Sequence, residues 1–120
     1  MERERFVRLV GQVLDSLPER FRDRIHNLAV LVEDRPPHSV TRRRPGEGRR
    51  GLVLGVFQGV PITQKSVFDL SHGPSRIVLY QKNIEAVCSS PAEIRHEVRQ
   101  TVLHELGHYF GMDEEQLKDV

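Results

Sequence analysis

The sequence predicts an α+β fold in which helices at both ends of the chain enclose a middle portion of short strands. Three observations support this prediction. Hydrophobic residues recur at helical spacing near the N-terminus, β-rich runs occupy the middle, and a helix-start signal opens a long C-terminal segment. A chain of 120 residues with 38% hydrophobic and 29% charged residues can form one modest core, so we assign residues 1–120 to a single domain.

The first elements are two helices and a strand. Apolar residues at the i, i+3, i+4, i+7 spacing predict an amphipathic helix that ends before Pro18, and they are Phe6, Leu9, Val10, Val13, Leu14 and Leu17. We expect a second, short helix over residues 19–25. The β-rich run at residues 28–32 predicts the first strand.

A basic loop follows at about residues 35–50, where prolines and glycines interrupt any strand pattern. Its arginines are Arg35, Arg42, Arg43, Arg44, Arg49 and Arg50. Arginine clusters bind phosphates, which indicates nucleic acid or an acidic peptide as a partner. No aromatic residues interleave with them as stacking platforms, so a solvated loop is favoured and nucleic acid is not.

Two further strands are expected in the middle of the chain. Residues 52–57 predict the second strand, and residues 58–61 predict the turn that closes it. Residues 76–80 predict the third strand, after a turn-rich stretch at 71–75, whereas residues 62–70 fit either a short strand or irregular structure. We interpret Cys88 as a small packing residue near a helix start.

The C-terminal helix has the clearest start and stop signals. Ser90 at N-cap, Pro91 at N1 and Glu93 at N3 form a capping box, and Gly111 is placed to end the helix in a left-handed conformation. About twenty helical residues span roughly 30 Å. One apolar stripe predicts that the helix lies under a sheet, and it comprises Ile94, Val98, Val102, Leu106 and Tyr109, widened by Leu103 and Phe110.

This helix carries the motif His104-Glu105-Leu106-Gly107-His108. Histidines at i and i+4 share one helix face, so their imidazoles can converge on one metal ion, with Glu105 beside its open side. The pattern is typical of a zinc hydrolase, although other divalent metals also fit. Glu105 would take a proton from the attacking water and pass it to the leaving amine. The alternative for Glu105 is a helix-surface carboxylate paired with Arg99 or Lys118.

A catalytic zinc needs a third protein ligand. Because Gly111 lets the chain turn back, Glu114 at the favoured spacing is the predicted ligand. The alternatives are Asp113, Glu115 or no third protein ligand at all. Alternatively, these acidic residues form the first turn of a terminal helix. The other histidines are not expected to bind the metal, since His96 lies about 80° off the ligand face and the rest lack a companion; these are His26, His38 and His72.

Composition also bears on location. The chain has no run of eighteen apolar residues, and its start, Met1-Glu2-Arg3-Glu4-Arg5, is too charged to open a signal peptide. We therefore expect a cytoplasmic protein without a membrane partner. The net charge of +1 predicts no partner by itself.

The chain resembles the small bacterial proteins with a minimal zincin fold, a family of the zinc metallopeptidase type. The matching pieces are the opening helix with Leu17-Pro18 and residues 30–34, 55–61, 76–80 and 101–111. The resemblance implies an α/β sandwich, with a small mixed sheet packed against the N-terminal helix and a central motif helix. The spacing also resembles that of the metzincins, with Glu114 where that clan has its third histidine.

The resemblance implies a zinc-dependent peptidase whose peptide or protein substrate lies along an exposed strand edge, which the sequence does not assign. Twelve residues follow His108, so we expect a shallow cleft that a second copy, another partner or the basic loop would complete. One alternative is a metal-binding interaction module without turnover, whose four protein ligands exclude a catalytic water. Another is binding of nucleic acid or an acidic partner through the arginine-rich loop.

Overall fold

The computed structural model describes residues 1–23, 28–43, 50–59 and 75–112. Within these ranges the elements are α1 (Arg3–Asp15), α2 (Glu19–Arg22), β1 (Leu28–Glu33), α3 (His38–Arg43), β2 (Gly55–Gln58), β3 (Ser75–Tyr80), α4 (Gln81–Ala86) and α5 (Pro91–Tyr109). The predicted α+β class is confirmed. None of the helices in these ranges is long and apolar enough to cross a membrane.

The strands form a mixed sheet in the order β1-β3-β2. The central strand β3 pairs in parallel with β1, from Leu28 opposite Ser75 to Glu33 opposite Tyr80. Strand β2 pairs with β3 in the antiparallel direction, with Val56 opposite Val78. The mixed sheet that the family resemblance implies is therefore present.

The core has one cluster of buried side chains on each face of the sheet. Successive side chains of β3 point to opposite faces, so Ile77 and Leu79 belong to one cluster and Val78 and Tyr80 to the other. The first cluster also receives apolar residues of α1, α4 and α5, including Phe6, Val10, Val13, Ile84, Val98, Val102 and Leu106. The second includes Val53 and Val56, against which Val40 of α3 packs. The sheet is thus layered between helices.

The structure corrects the prediction of a continuous loop at about residues 35–50, because α3 occupies His38–Arg43. The carbonyl oxygen of Pro37 accepts hydrogen bonds from the backbone N–H groups of Val40 at 2.9 Å and Thr41 at 3.3 Å. The Thr41 hydroxyl donates to the carbonyl oxygen of His38 at 3.1 Å. These short-range bonds close a helical turn directly after the prolines. Residues 44–49 of the predicted loop lie outside the described residues.

Strand β2 begins three residues later than predicted. The side-chain amide of Asn83 donates a hydrogen bond to the carbonyl oxygen of Val53 at 2.8 Å. The backbone N–H of Tyr80 donates to the carbonyl oxygen of Leu54 at 2.9 Å. At the start of the predicted strand, a side chain of α4 thus takes the place of a hydrogen bond to a neighbouring strand. The predicted turn beyond Gly59 and the ambiguous segment at 62–70 lie outside the described residues.

Helix α4 was not predicted. It starts directly at the end of β3, its N-cap residue Tyr80 makes no side-chain capping bond, and its buried positions include the polar residues Gln81 and Asn83. Those side chains find partners far away in sequence, since the Gln81 amide donates to the Met1 carbonyl oxygen at 2.6 Å. Cys88, which follows α4, is half-buried against the first cluster, as predicted.

Candidate metal centre

Helix α5 carries the motif, and local bonds define both of its ends. At the start, the Ser90 hydroxyl accepts from the backbone N–H of Glu93 at 3.2 Å, which confirms the predicted N-cap. The Glu93 carboxylate reaches back to the N–H of Ser89, one residue before the donor that an ideal capping box would use.

At the end of α5, Gly111 adopts a φ of +73°, as predicted. Its N–H donates to the carbonyl oxygen of His108 at 3.0 Å, and the N–H of Met112 donates to that of Gly107 at 2.8 Å. This pair of bonds is a Schellman motif around C-cap Phe110. The helix therefore stops at Tyr109, one residue after the motif.

His104 and His108 lie one turn apart on α5, and their rings meet edge to face with centroids 5.0 Å apart. Their Nε2 atoms are 3.3 Å apart. The side chain of His104 is 39% exposed, and His108 is half-buried. The i, i+4 spacing thus produces the convergence that the sequence predicts.

Glu105 has turned to the inner side of the helix, where the residue is 3% exposed. Its Oε1 accepts a hydrogen bond from the backbone N–H of Phe57 in β2 at 2.7 Å, and its Oε2 lies 4.0 Å from Nε2 of His104. The predicted alternative of a helix-surface position is wrong, because the side chain is buried between α5 and β2. Lys118, one of the two partners named for that alternative, lies outside the described residues. The sequence contains no signal for this contact, since a backbone amide is the donor.

The ligand atoms of His104, Glu105 and His108 all lie within 4.8 Å of one another. Two imidazole nitrogens bound tetrahedrally to zinc at about 2.0–2.1 Å would be roughly 3.3–3.4 Å apart. The observed separation of 3.3 Å matches that value. Imidazoles beside a carboxylate are also a donor set that zinc commonly accepts. The three residues can therefore hold a metal ion.

The predicted third ligand, Glu114, lies outside the described residues, as do its competitors Asp113 and Glu115. The same holds for His26 and His72. Two further histidines can be located: His38 is exposed at the start of α3, and His96 is exposed on α5. Neither belongs to the cluster that the described part of the chain assembles.

A row of aromatic rings supports the end of the motif helix. The ring of Tyr109 lies 5.7 Å from that of Phe57 and 5.4 Å from that of Phe110, and Phe110 stacks on Phe21 of α2 at 5.7 Å. Tyr109 and Phe110 were predicted as part of the apolar stripe, but their partners in β2 and α2 depend on the tertiary structure. This row holds α5 and β2 together beside Glu105.

Comparisons with known proteins place these features in a family context. The family model described as zincin-like metallopeptidase matches residues 25–120. A solved structure described as a conserved hypothetical protein from T. thermophilus is 27% identical, has a TM-score of 0.57 and is matched over 98% of each chain. No curated protein matches the chain. The matched family range contains all of α5 and its histidine pair.

Proposed function

Because this chain belongs to the zincin-like metallopeptidase family, we propose that it is a zinc-dependent peptidase that hydrolyses peptide bonds. The observation that carries the proposal is the convergence of the Nε2 atoms of His104 and His108 beside the buried carboxylate of Glu105. Burying an ionisable side chain lowers the stability of a fold. Such side chains are therefore found mainly at functional sites, where they take part in the chemistry.

In this proposal His104 and His108 bind one zinc ion through Nε2, and Glu114 is the third ligand. The assignment of Glu114 rests on its spacing from the motif, with Asp113 and Glu115 as its alternatives. Zinc held by these three residues would lower the pKa of its coordinated water towards neutrality and would polarise a substrate carbonyl group.

The two oxygens of Glu105 have different partners, and we assign them different roles. Oε1 is held by the Phe57 amide, which orients the carboxylate, whereas Oε2 faces His104. Oε2 would therefore take the proton from the attacking water and deliver it to the leaving amine. Fixing one oxygen keeps the other in place without further reorganisation.

We assign the substrate edge to β2. Tyr80 N–H donates to Leu54, so by the alternation of an antiparallel ladder the even-numbered residues of β2 bond with β3. The backbone groups of Gly55 and Phe57 therefore point to the opposite edge, where Glu105 already takes the Phe57 N–H. Gly55 is buried, whereas Phe57 and Gln58 are half-buried, so an extended peptide would add to this edge beyond Gly55.

Zinc analysis of the purified protein and a peptidase screen, run on wild type and Glu105→Gln in parallel, test the proposal. We expect about one zinc equivalent in both proteins and a loss of cleavage by roughly 10²–10⁴-fold in Glu105→Gln. Glutamine keeps an oxygen that can accept from Phe57, so the fold should be retained. Equal cleavage by the two proteins would refute the role of Glu105. Zinc binding without any cleavage by wild type would instead favour the non-catalytic metal-binding module.

A further inference from the structure

Strand β2 lies close to helix α5 at Gly55. A β-carbon placed on this glycine would lie 2.7 Å from Cγ2 of Thr101, 3.0 Å from the carbonyl oxygen of Val78 and 3.2 Å from Cδ2 of Leu79. The threonine is β-branched and has few rotamers in a helix, so its methyl group has little freedom to move away. A side chain at position 55 would therefore push β2 away from α5.

Space, rather than backbone conformation, requires glycine at this position. The glycines with positive φ in the described ranges are Gly51, Gly59 and Gly111, and Gly55 is an ordinary strand residue. Glycine in a strand interior weakens the strand because it adds chain entropy and offers no side chain to pack. The close packing of β2 against Thr101 of α5, which only glycine permits, compensates for this loss of strand stability.

Strand β2 and helix α5 also contact each other two residues further along the strand, at Phe57. There, the Phe57 N–H donates to Oε1 of Glu105 at 2.7 Å. The strand advances roughly 6.6–6.8 Å from Gly55 to Phe57, and the helix advances about 6 Å from Thr101 to Glu105. The two contacts are thus neighbours along the interface, and the separation at the first limits the separation at the second.

We propose that Gly55 is a positioning residue for Glu105. The missing side chain lets β2 come close enough to α5 for the Phe57 amide to hold Oε1, which turns Oε2 towards His104. The catalytic meaning of this contact rests on the proposed peptidase function. The contact itself can be measured without metal or substrate.

Amide hydrogen exchange at Phe57, measured by NMR on the metal-free protein, tests the contact. Gly55→Ala is expected to speed exchange at Phe57 by about tenfold or more, because a hydrogen bond to a charged acceptor is lost. Glu105→Ala removes the acceptor itself and should give the same acceleration. Gly11→Ala is the matched control, since a β-carbon there meets nothing within 4 Å. Unchanged Phe57 exchange in Gly55→Ala or in Glu105→Ala overturns the proposal.

A second-site change tests whether the Thr101 methyl group sets the spacing. Thr101→Ser removes Cγ2, so Gly55→Ala combined with Thr101→Ser is expected to recover most of the Phe57 protection. The carbonyl oxygen of Val78 remains close, and recovery should be incomplete. If Gly55→Ala does not fold, a folded double variant with a protected Phe57 amide supports the proposal. A double variant that exchanges as fast as Glu105→Ala, or that does not fold, contradicts it.

Peptidase kinetics separate positioning from the proposed function. Gly55→Ala should lower kcat by on the order of 10–100-fold, because the base is displaced and the ligand histidines are not. KM should rise as well, because β2 is also the proposed substrate edge. Thr101→Ser should restore part of kcat in the double variant. Equal kcat in Gly55→Ala and wild type would refute the positioning role. A wild type that cleaves no peptide would refute the proposed function and leave the exchange measurements to decide the contact.

Discussion

Glu105 is the residue at which packing and chemistry meet. Its neighbours on the inner side of α5, Val102 and Leu106, are fully buried and apolar. An ionisable side chain at such a place costs free energy unless its charge is compensated, and the Phe57 amide supplies one charge-assisted hydrogen bond. A residue serving stability alone would be apolar here. The proposed role of Glu105 as the proton acceptor beside the histidine pair accounts for a carboxylate at this place.

The histidine pair gives the first prediction at this scale. His108→Ala is expected to weaken zinc binding by more than about 100-fold, because one of two converging nitrogens is removed. Loss of a residue that only supports a metal ligand weakens metal binding by about 10–100-fold. Competition with a chelator, followed by elemental analysis, measures the affinity. His96→Ala is the matched control on the same helix, since His96 is exposed and outside the cluster. Equal zinc affinities in the two variants would contradict the proposed site.

At the scale of elements, α5 is defined by its ends. The Ser90 cap begins the helix, and the Schellman motif at Gly111 stops it at Tyr109, directly after His108. Between them, one face of the helix enters the core, and the two histidines of the motif are half-buried outside that cluster. The caps fix where the motif lies along the helix, and the apolar stripe fixes which way it faces.

Removing the cap should lower stability without altering the site. Ser90→Ala is expected to reduce the free energy of unfolding by about 1 kcal/mol, because the N–H of Glu93 loses its acceptor. Urea denaturation of the metal-free protein measures this change. Ser89→Ala is the control, since Ser89 contributes its backbone N–H to Glu93 and that group is retained. Zinc affinity should be the same in both variants. If Ser90→Ala lowers the free energy of unfolding no more than Ser89→Ala does, the Ser90 side chain does not cap the helix.

At the scale of the whole molecule, the site is supported by the cluster that joins α1, β3 and α5. Phe6 of α1, Ile77 of β3 and Leu106 of α5 are completely buried in it. The outer side of α5 can therefore present exposed polar groups while its inner side is held rigidly. A domain of this size has a free energy of unfolding of roughly 5–15 kcal/mol, so individual core residues matter.

Neighbouring residues of α1 allow a matched test of this support. Phe6→Ala is expected to cost about 3–5 kcal/mol through the lost burial and the cavity left behind. Val7→Ala should change stability by less than about 0.5 kcal/mol, since Val7 is 49% exposed and Phe6 is 0% exposed. Chemical denaturation without metal compares the two variants. Similar losses in both would mean that α1 does not pack as described.

Much of the fold and part of the site could be predicted because their signals are local. The periodicity of α1 and α5, the Ser90 cap, the Gly111 stop and the spacing of His104 and His108 each depend on residues within one or two turns. The family resemblance added the mixed sheet. By contrast, α4 and the start of β2 depend on polar partners distant in sequence, as the bond from Asn83 to Val53 illustrates, and no local pattern records such pairing.

The amino-acid sequence is enough to establish that two imidazoles converge, because i and i+4 positions of any helix share a face. The role of Glu105 within the fold is set by tertiary packing instead. Its partner is the backbone of a strand 48 residues away, brought into reach by the lack of a side chain at Gly55 and by the packing of α5 beneath the sheet. Backbone amides are the same in every sequence, so such a contact exists only once the elements have packed.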